Sequence, residues 1–226
     1  ENVIGNVDGI LLCPGFGDRG LEGKINAVRH ARENKIPYLG DCLGLQMLVV
    51  EFARNVAGME NANTTEADPK TPFPVISLLS EQQDVHDLGG TMRLGGYDCQ
   101  LIAGTKASEC YGAEIVRERH RHRYEVSNQF LTRLEEHGLR VSGRMSNSEL
   151  VEIVELTDHP WMVGCQFHPE FTSRPNRPNP LFIGFVGAAL EHAVASNDQT
   201  EAHKASASSK TDQTPTGAAA TASVVN

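Results

Sequence analysis

A cysteine stands between two glycines in Y-L-G-D-C-L-G-L-Q, Tyr38 to Gln46, where an apolar run gives way to a helical pattern. Glycines two residues either side of Cys42 permit the tight, strained crossing from strand to helix of a nucleophile elbow. There the thiol meets the positive end of a helix, which favours thiolate, and the N–H of Leu43 can point at an oxyanion. Asp41 opposes this, because a neighbouring carboxylate raises a thiol's pKa. Strand alternation sends its side chain to the other face, where an arginine or a backbone donor is the expected partner. A cysteine nucleophile also needs a base. Q-F-H-P-E-F offers His168 directly after another apolar run, with Glu170 two residues on to orient the imidazole. The loop C-P-G-F-G-D-R-G, Cys13 to Gly20, has bare backbone that a substrate carbonyl can approach closely. Each feature has an ordinary alternative: a small core cysteine, a turn with a surface histidine, a glycine turn. Their combination points to cysteine chemistry. The loop lacks the lysine-serine/threonine ending of a Walker A motif, and its glycine spacing does not fit a dinucleotide fingerprint.

Positioning these groups requires strands that stop at them. G-I-L-L-C, Gly9 to Cys13, reads as a buried strand, followed by a helix with Ile25, Val28 and Ala31 on one face. I-P-Y-L-G-D and L-G-L-Q-M-L-V-V-E-F-A-R-N-V repeat the strand-helix pattern, the signature of a parallel sheet covered by helices. Gly58 to Thr71 reads as a loop. After P-V-I-S-L-L, the stretch from Ser80 to Ile102 reads as shorter strands and turns, an antiparallel excursion. A short helix is expected from Phe130 to the capping Gly138. Two hairpin-like strands follow, then the buried strand M-V-G-C-Q-F ending at His168. A last helix, Leu181 to Ala195, is expected to pack Phe182, Phe185, Val186 and Leu190. Residues 196–226 contain no aromatic residue, Leu or Ile and are expected to be a disordered tail.

The 226 residues, 39% hydrophobic, suffice for one domain with a substantial core. A net charge of -9 argues against a nucleic-acid or anionic-membrane surface, and no apolar run is long enough to span a bilayer. Five scattered cysteines without a C-x-x-C pair fit a reducing cytoplasm, and the nine histidines show no metal-ligand spacing. R-E-R-H-R-H-R-Y, Arg117 to Tyr124, is the basic exception. If it is extended, its four arginines share one face, either as a solvated edge strand or as a site for a small carboxylate or phosphate.

P-G-F-G-D-R-G-L-E-G-K, G-D-C-L-G-L-Q, E-F-A-R-N-V, N-A-N-T-T-E, D-L-G-G-T-M-R-L-G, E-R-H-R-H-R-Y-E-V and Q-F-H-P-E-F-T-S-R-P, in that order, resemble the glutaminase domain of the CTP synthase family from Gly9 to about Ala195. The resemblance implies a flavodoxin-like class I glutamine amidotransferase architecture: α/β, with a mostly parallel sheet flanked by helices and a nucleophile elbow. It implies a glutaminase domain over residues 1–195, truncated at its N-terminus and without its synthetase domain. Its triad would be Cys42, His168 and Glu170, with an oxyanion hole from Gly15 and Leu43. L-glutamine would be bound by Gly15, Phe16, Leu43, Gly44, Leu45, Gln46, Glu66 and Arg123. No cofactor or metal is implied in this domain. The absent synthetase domain would use ATP and Mg to aminate UTP, GTP would be the allosteric activator, and the whole enzyme would be a cytoplasmic homo-tetramer. The alternatives are the glutaminase subunit of GMP or anthranilate synthesis, or a non-catalytic regulatory remnant of the fold. The sequence departs from the family at Pro14, where a glycine is usual, and at Asp41, where an apolar residue is usual. The segment between Pro74 and Leu88 is shorter than in some relatives, which bears on any lid.

Overall fold

The computed structural model describes residues 4–78 and 92–210, with side chains as far as 198. The shortened segment, from residue 79 onward, therefore lies outside the described residues, as does 211–226.

Strand β1, Ile10–Leu12, and strand β2, Tyr38–Asp41, flank helix α1, Leu21–Glu33. Leu21, Ile25, Val28 and Ala31 recur at helical spacing, so α1 buries one stripe and leaves its charges in water. Helix α2, Leu43–Asn55, is buried from Leu43 to Ala53. The buried carboxylate of Glu51 on α2 is met by Arg32 of α1 at 2.7 Å, so the two helices are tied by an ion pair as well as by apolar contact. Strands β3, Asn63–Thr64, and β4, Pro74–Ser77, come next, and the first of these lies in the stretch expected to be loop.

Past the undescribed segment, β5, Arg93–Leu101, leads through α3, Lys106–Tyr111, to β6, Ile115–His122. The short β7, Glu125–Val126, joins β3 and β4 in a small three-stranded sheet. Helix α4, Leu131–Glu136, precedes the antiparallel pair β8, Leu139–Met145, and β9, Val151–Leu156. Strand β10, Met162–Cys165, and helix α5, Pro180–Lys210, complete the described elements.

Among the described residues the main sheet has seven strands in the order β1-β2-β10-β9-β8-β5-β6. It is mixed. β1, β2 and β10 are parallel, and every pairing from β10 outward to β6 is antiparallel. The antiparallel share exceeds the mostly parallel expectation because β8 and β9 are joined by a short turn that needs no crossover helix. Strand alternation builds two cores. Tyr38, Val154 and Met162 face α1 and α2, whereas Leu39, Ile153, Val163 and Cys165 face Ala107 of α3 and Leu181 of α5.

Two units divide the chain, Glu1–His192 and Ala193–Asn226. Helix α5 continues to Lys210, past the expected stop at Ala195, through a stretch rich in alanine that favours helix by propensity. Phe182 and Phe185 pack on the core as expected. Val186 and Leu190 do not: they are 53% and 63% exposed, because helical period places them with Ile183 on the opposite face.

Candidate active site

Cys42 lies between the last residue of β2 and the first of α2 and takes φ 49° and ψ -96°. A non-glycine residue in such backbone costs about 1–3 kcal/mol and persists only where its surroundings enforce it. Here they do. The Cys42 N–H donates to the Cys165 carbonyl at 2.7 Å, and the Cys42 carbonyl receives the first helical bond from Gln46 at 3.2 Å. The Tyr38 hydroxyl donates to the Gly44 carbonyl at 2.9 Å, bracing the turn from below. A Cβ on Gly40 would stand 2.5 Å from the Gly44 carbonyl carbon, and one on Gly44 would stand 2.4 Å from the Leu12 oxygen. The flanking glycines thus serve the close approach of helix to sheet.

The Leu43 N–H bonds to the Cys42 sulfur and draws its pKa down, but burial outweighs it. Burial first, then the carboxylates of Glu170, Asp41 and Glu125, push the Cys42 thiol up to about 12. The helix end thus favours thiolate as expected, but burial is the larger effect, and in the resting site the sulfur is held as a thiol.

His168 follows β10, the parallel neighbour of β2, so Cys42 and His168 come from the carboxyl ends of adjacent strands. Its N–H donates to the Arg119 carbonyl at 2.8 Å, and its ring stacks on Phe171 with centroids 4.7 Å apart. Nδ1 lies 2.7 Å from Glu170 Oε1. An ionised carboxylate only accepts, so Nδ1 carries the hydrogen and Nε2 keeps its lone pair. Nε2 is buried and has no hydrogen-bond partner among the described residues.

Cys42 and His168 line one cavity of about 470 Å³, together with Pro14, Gly15, Phe16, Gln46, Glu66 and Arg123. Glu66 Oε1 accepts from the Gly17 N–H at 2.9 Å and ties the glycine loop to the strand β3 region. Phe16 is 90% exposed at the mouth. Leu43 has a buried side chain, and its N–H is directed at the Cys42 sulfur. Gly44 and Leu45 also pack the elbow: the Gly44 carbonyl accepts from Tyr38, and the Leu45 side chain is fully buried against Gly164.

Asp41 does leave β2 on the other face, but its partner is neither an arginine nor a backbone donor. Its Oδ1 accepts from the thiol of Cys165, its register neighbour on β10, at 3.7 Å. Burial first, then Glu170, pushes the Asp41 carboxyl up to about 7.

The family model for class-I glutamine amidotransferases matches residues 1–188. The chain belongs to that family. Over 191 residues this amidotransferase domain is 60% identical to the CTP synthase of Carboxydothermus hydrogenoformans and 59% identical to that of Bacillus subtilis, matches that cover 84% of this chain and 36% of each relative. The chain thus spans little more than a third of the length of these curated relatives. Among solved structures it matches the glutaminase domain of Trypanosoma brucei CTPS with bound acivicin, at a TM-score of 0.77 and 37% identity, over 81% of this chain and 71% of that one.

Sequence reasoning missed several residues of the amidotransferase site. Gln166, fully buried, brings its Nε2 to 3.7 Å from the Cys42 sulfur. It lies two residues before His168 on the same extended run, a spacing that could have flagged it. The arginines of β6 do point outward, yet the opposite face carries Glu118, His120 and His122, all buried. Glu118 accepts from Tyr111, Thr172 and Asn179 and so pins the segment after His168. His122, on the cavity wall, donates from Nδ1 to the Tyr124 carbonyl at 3.2 Å and so accepts at Nε2 from His120 Nδ1 at 2.8 Å. His120 Nε2 is then a lone pair facing Glu152 Oε2 at 3.3 Å. Neither atom has a hydrogen-bond partner among the described residues, and burial, against the pull of Arg93, pushes the Glu152 carboxyl up to about 7. Arg93 reaches Glu152 at 2.7 Å and Glu125 at 3.1 Å, closing the cluster.

Proposed function

We propose that this domain hydrolyses the side-chain amide of L-glutamine, and that the ammonia it releases is used by the rest of a larger enzyme to aminate UTP to CTP at the expense of ATP. The observation that carries the first half is the pairing of an elbow cysteine with a histidine whose Nδ1 is held by a carboxylate, both on one cavity. Identity of about 60% to CTP synthases supports the second half.

In this reading Cys42 Sγ attacks the amide carbon of glutamine while His168 Nε2 takes the thiol proton. The N–H groups of Gly15 and Leu43 hold the resulting oxyanion. His168 gives its proton to the leaving nitrogen, ammonia departs and a glutamyl thioester remains. Water then attacks the thioester with His168 as base, the thiolate leaves and is reprotonated, and glutamate is released. Glu170 keeps the imidazole in the required tautomer. Glu66 and Arg123 carry opposite charges on the same wall and suit the α-ammonium and α-carboxylate of an amino acid. The domain itself needs no cofactor for these steps. ATP, Mg and UTP belong to the synthetase part, GTP to activation of the whole, and the whole enzyme is read as a cytoplasmic homo-tetramer. Among the described residues no helix is long and apolar enough to cross a membrane, and all five cysteines are free.

Labelling with a glutamine-analogue electrophile followed by peptide mapping is expected to place the adduct on Cys42 and to fail with Cys42→Ala. Labelling elsewhere, or equal reaction of Cys42→Ala, overturns the nucleophile assignment. For the acceptor, the reading frame upstream of this chain is expected to encode a nucleotide-binding synthetase domain, and the joined protein to show GTP-stimulated glutamine hydrolysis. A frame without such a domain overturns the CTP half.

A further inference from the structure

Two buried amides connect the Tyr124 carbonyl to the nucleophile. Gln46 Nε2 donates to the Tyr124 oxygen at 3.2 Å and stands 3.5 Å from Gln166 Oε1, while Gln166 Nε2 stands 3.7 Å from Cys42 Sγ. Gln46 is 3% exposed and Gln166 fully buried, so water does not compete for these groups. The order of donors is forced. A backbone carbonyl can only accept, so Gln46 must turn its NH₂ toward Tyr124. The second hydrogen of that NH₂ then calls for an acceptor, and Gln166 answers with its oxygen. Only the Gln166 NH₂ is left to face the sulfur. The Gln166 backbone is fixed as well, its N–H donating to the Glu152 carbonyl at 2.7 Å in continuation of the β9–β10 pairing.

We propose that Gln166 is a catalytic hydrogen-bond donor to the sulfur of Cys42, held in its donating orientation by Gln46 and the Tyr124 carbonyl. The proposal rests on Cys42 being the nucleophile. A neutral thiol gains little from an N–H donor, and a thiolate gains much more, since hydrogen bonds to ionised groups are about twice as strong. The sulfur is anionic as its proton passes to His168 and again when it leaves the tetrahedral intermediate formed by water on the thioester. Gln166 therefore acts on both half-reactions, opposing the burial that holds the thiol neutral. The Leu43 N–H serves the sulfur at rest but is called to the oxyanion during attack, whereas Gln166 comes from a different strand and remains with the sulfur throughout.

The test is the rate of Cys42 alkylation by iodoacetamide between pH 6 and 9, alongside glutaminase kcat and KM, in parent, Gln166→Met and Gln166→Glu. Gln166→Met keeps the length and removes the donor; it is expected to slow alkylation about tenfold, the effect of about one pH unit on thiolate content, and to lower kcat similarly with KM nearly unchanged. Gln166→Glu retains an acceptor for Gln46 but presents a carboxylate to the sulfur as pH rises. Its alkylation rate is expected to lag further behind the parent at pH 9 than at pH 6, and this variant carries the test if Gln166→Met does not fold. Rates within twofold of the parent in a folded variant overturn the proposal. Failure of the underlying reading looks different: Cys42→Ala would still hydrolyse glutamine.

Discussion

Asp41 is buried against Cys165, with a carboxyl pKa of about 7 against about 3.9 in an unfolded chain. Between these values the folded state holds a proton that the unfolded state has released. Stability from this group is thus complete below about pH 4 and is lost progressively as pH rises through 7. Asp41→Asn keeps the shape without the charge. It is expected to melt close to the parent at pH 4 and well above it at pH 8, by about 2–4 kcal/mol. Thermal melts at the two pH values check this, and a gap that is largest at acid pH contradicts it. The same substitution removes one of the smaller contributions raising the Cys42 thiol, so alkylation of Cys42 at pH 8 is expected to quicken by less than about threefold, burial being the larger cause.

At the scale of elements, the fold brings the start of α2 down onto β1, β2 and β10 where glycines leave room. Adding one methyl group at Gly44 drives it to 2.4 Å from the Leu12 carbonyl, which is backbone and cannot swing away. Gly44→Ala is expected to lower the melting temperature by several degrees and to suppress glutamine hydrolysis, because the elbow and its N–H groups must shift together. Gly23→Ala is the contrast. That glycine lies inside α1 with nothing within 4 Å of the added carbon, so the change is expected to stabilise by about 0.5–1 kcal/mol. The elbow and α1 were legible in sequence because glycine spacing and helical period are local signals, and so were Cys42, His168 and Glu170. The Arg93 cluster was not: its carboxylates lie 32 and 59 residues away along the chain, and no window holds them together. The Gln166 contact with Cys42 spans 124 residues; its only local trace is the two-residue spacing from His168 along one extended run. The exposed Val186 and Leu190 show the reverse failure, in which apolar composition was mistaken for burial, while the far reach of α5 was missed because residues beyond 195 lack large apolar side chains.

Across the whole molecule, two sets of buried groups pull stability in opposite directions. Burial lowers His120, His122 and His159 to about 2, 3 and 4, so their contribution is lost as pH falls below about 6.5, where the unfolded histidines take up protons. Burial raises Asp41, Glu152 and Glu125 to about 7, 7 and 8, so theirs is lost as pH rises from about 4 to 8. The slopes offset one another between about pH 4.5 and 6.5 and only the carboxylates act above it. The domain is expected to melt at nearly constant temperature across that window and at lower temperature by pH 8. Glu152→Gln, which removes the buried carboxyl and whose amide oxygen can still accept from Arg93, is expected to flatten the alkaline fall; an unchanged profile contradicts the raised pKa of Glu152.

The alternation on β6 has a consequence for how the chain finds this arrangement. Arg117, Arg119 and Arg121 face water while Glu118, His120 and His122 face inward. If β6 paired with β5 one residue out of step, three guanidinium groups would enter the core and the histidines would be stranded outside. Desolvating even one such charge costs several kcal/mol, a large part of a domain's entire stability. The basic stripe that looked like a ligand signal thus also proofreads strand registration during folding.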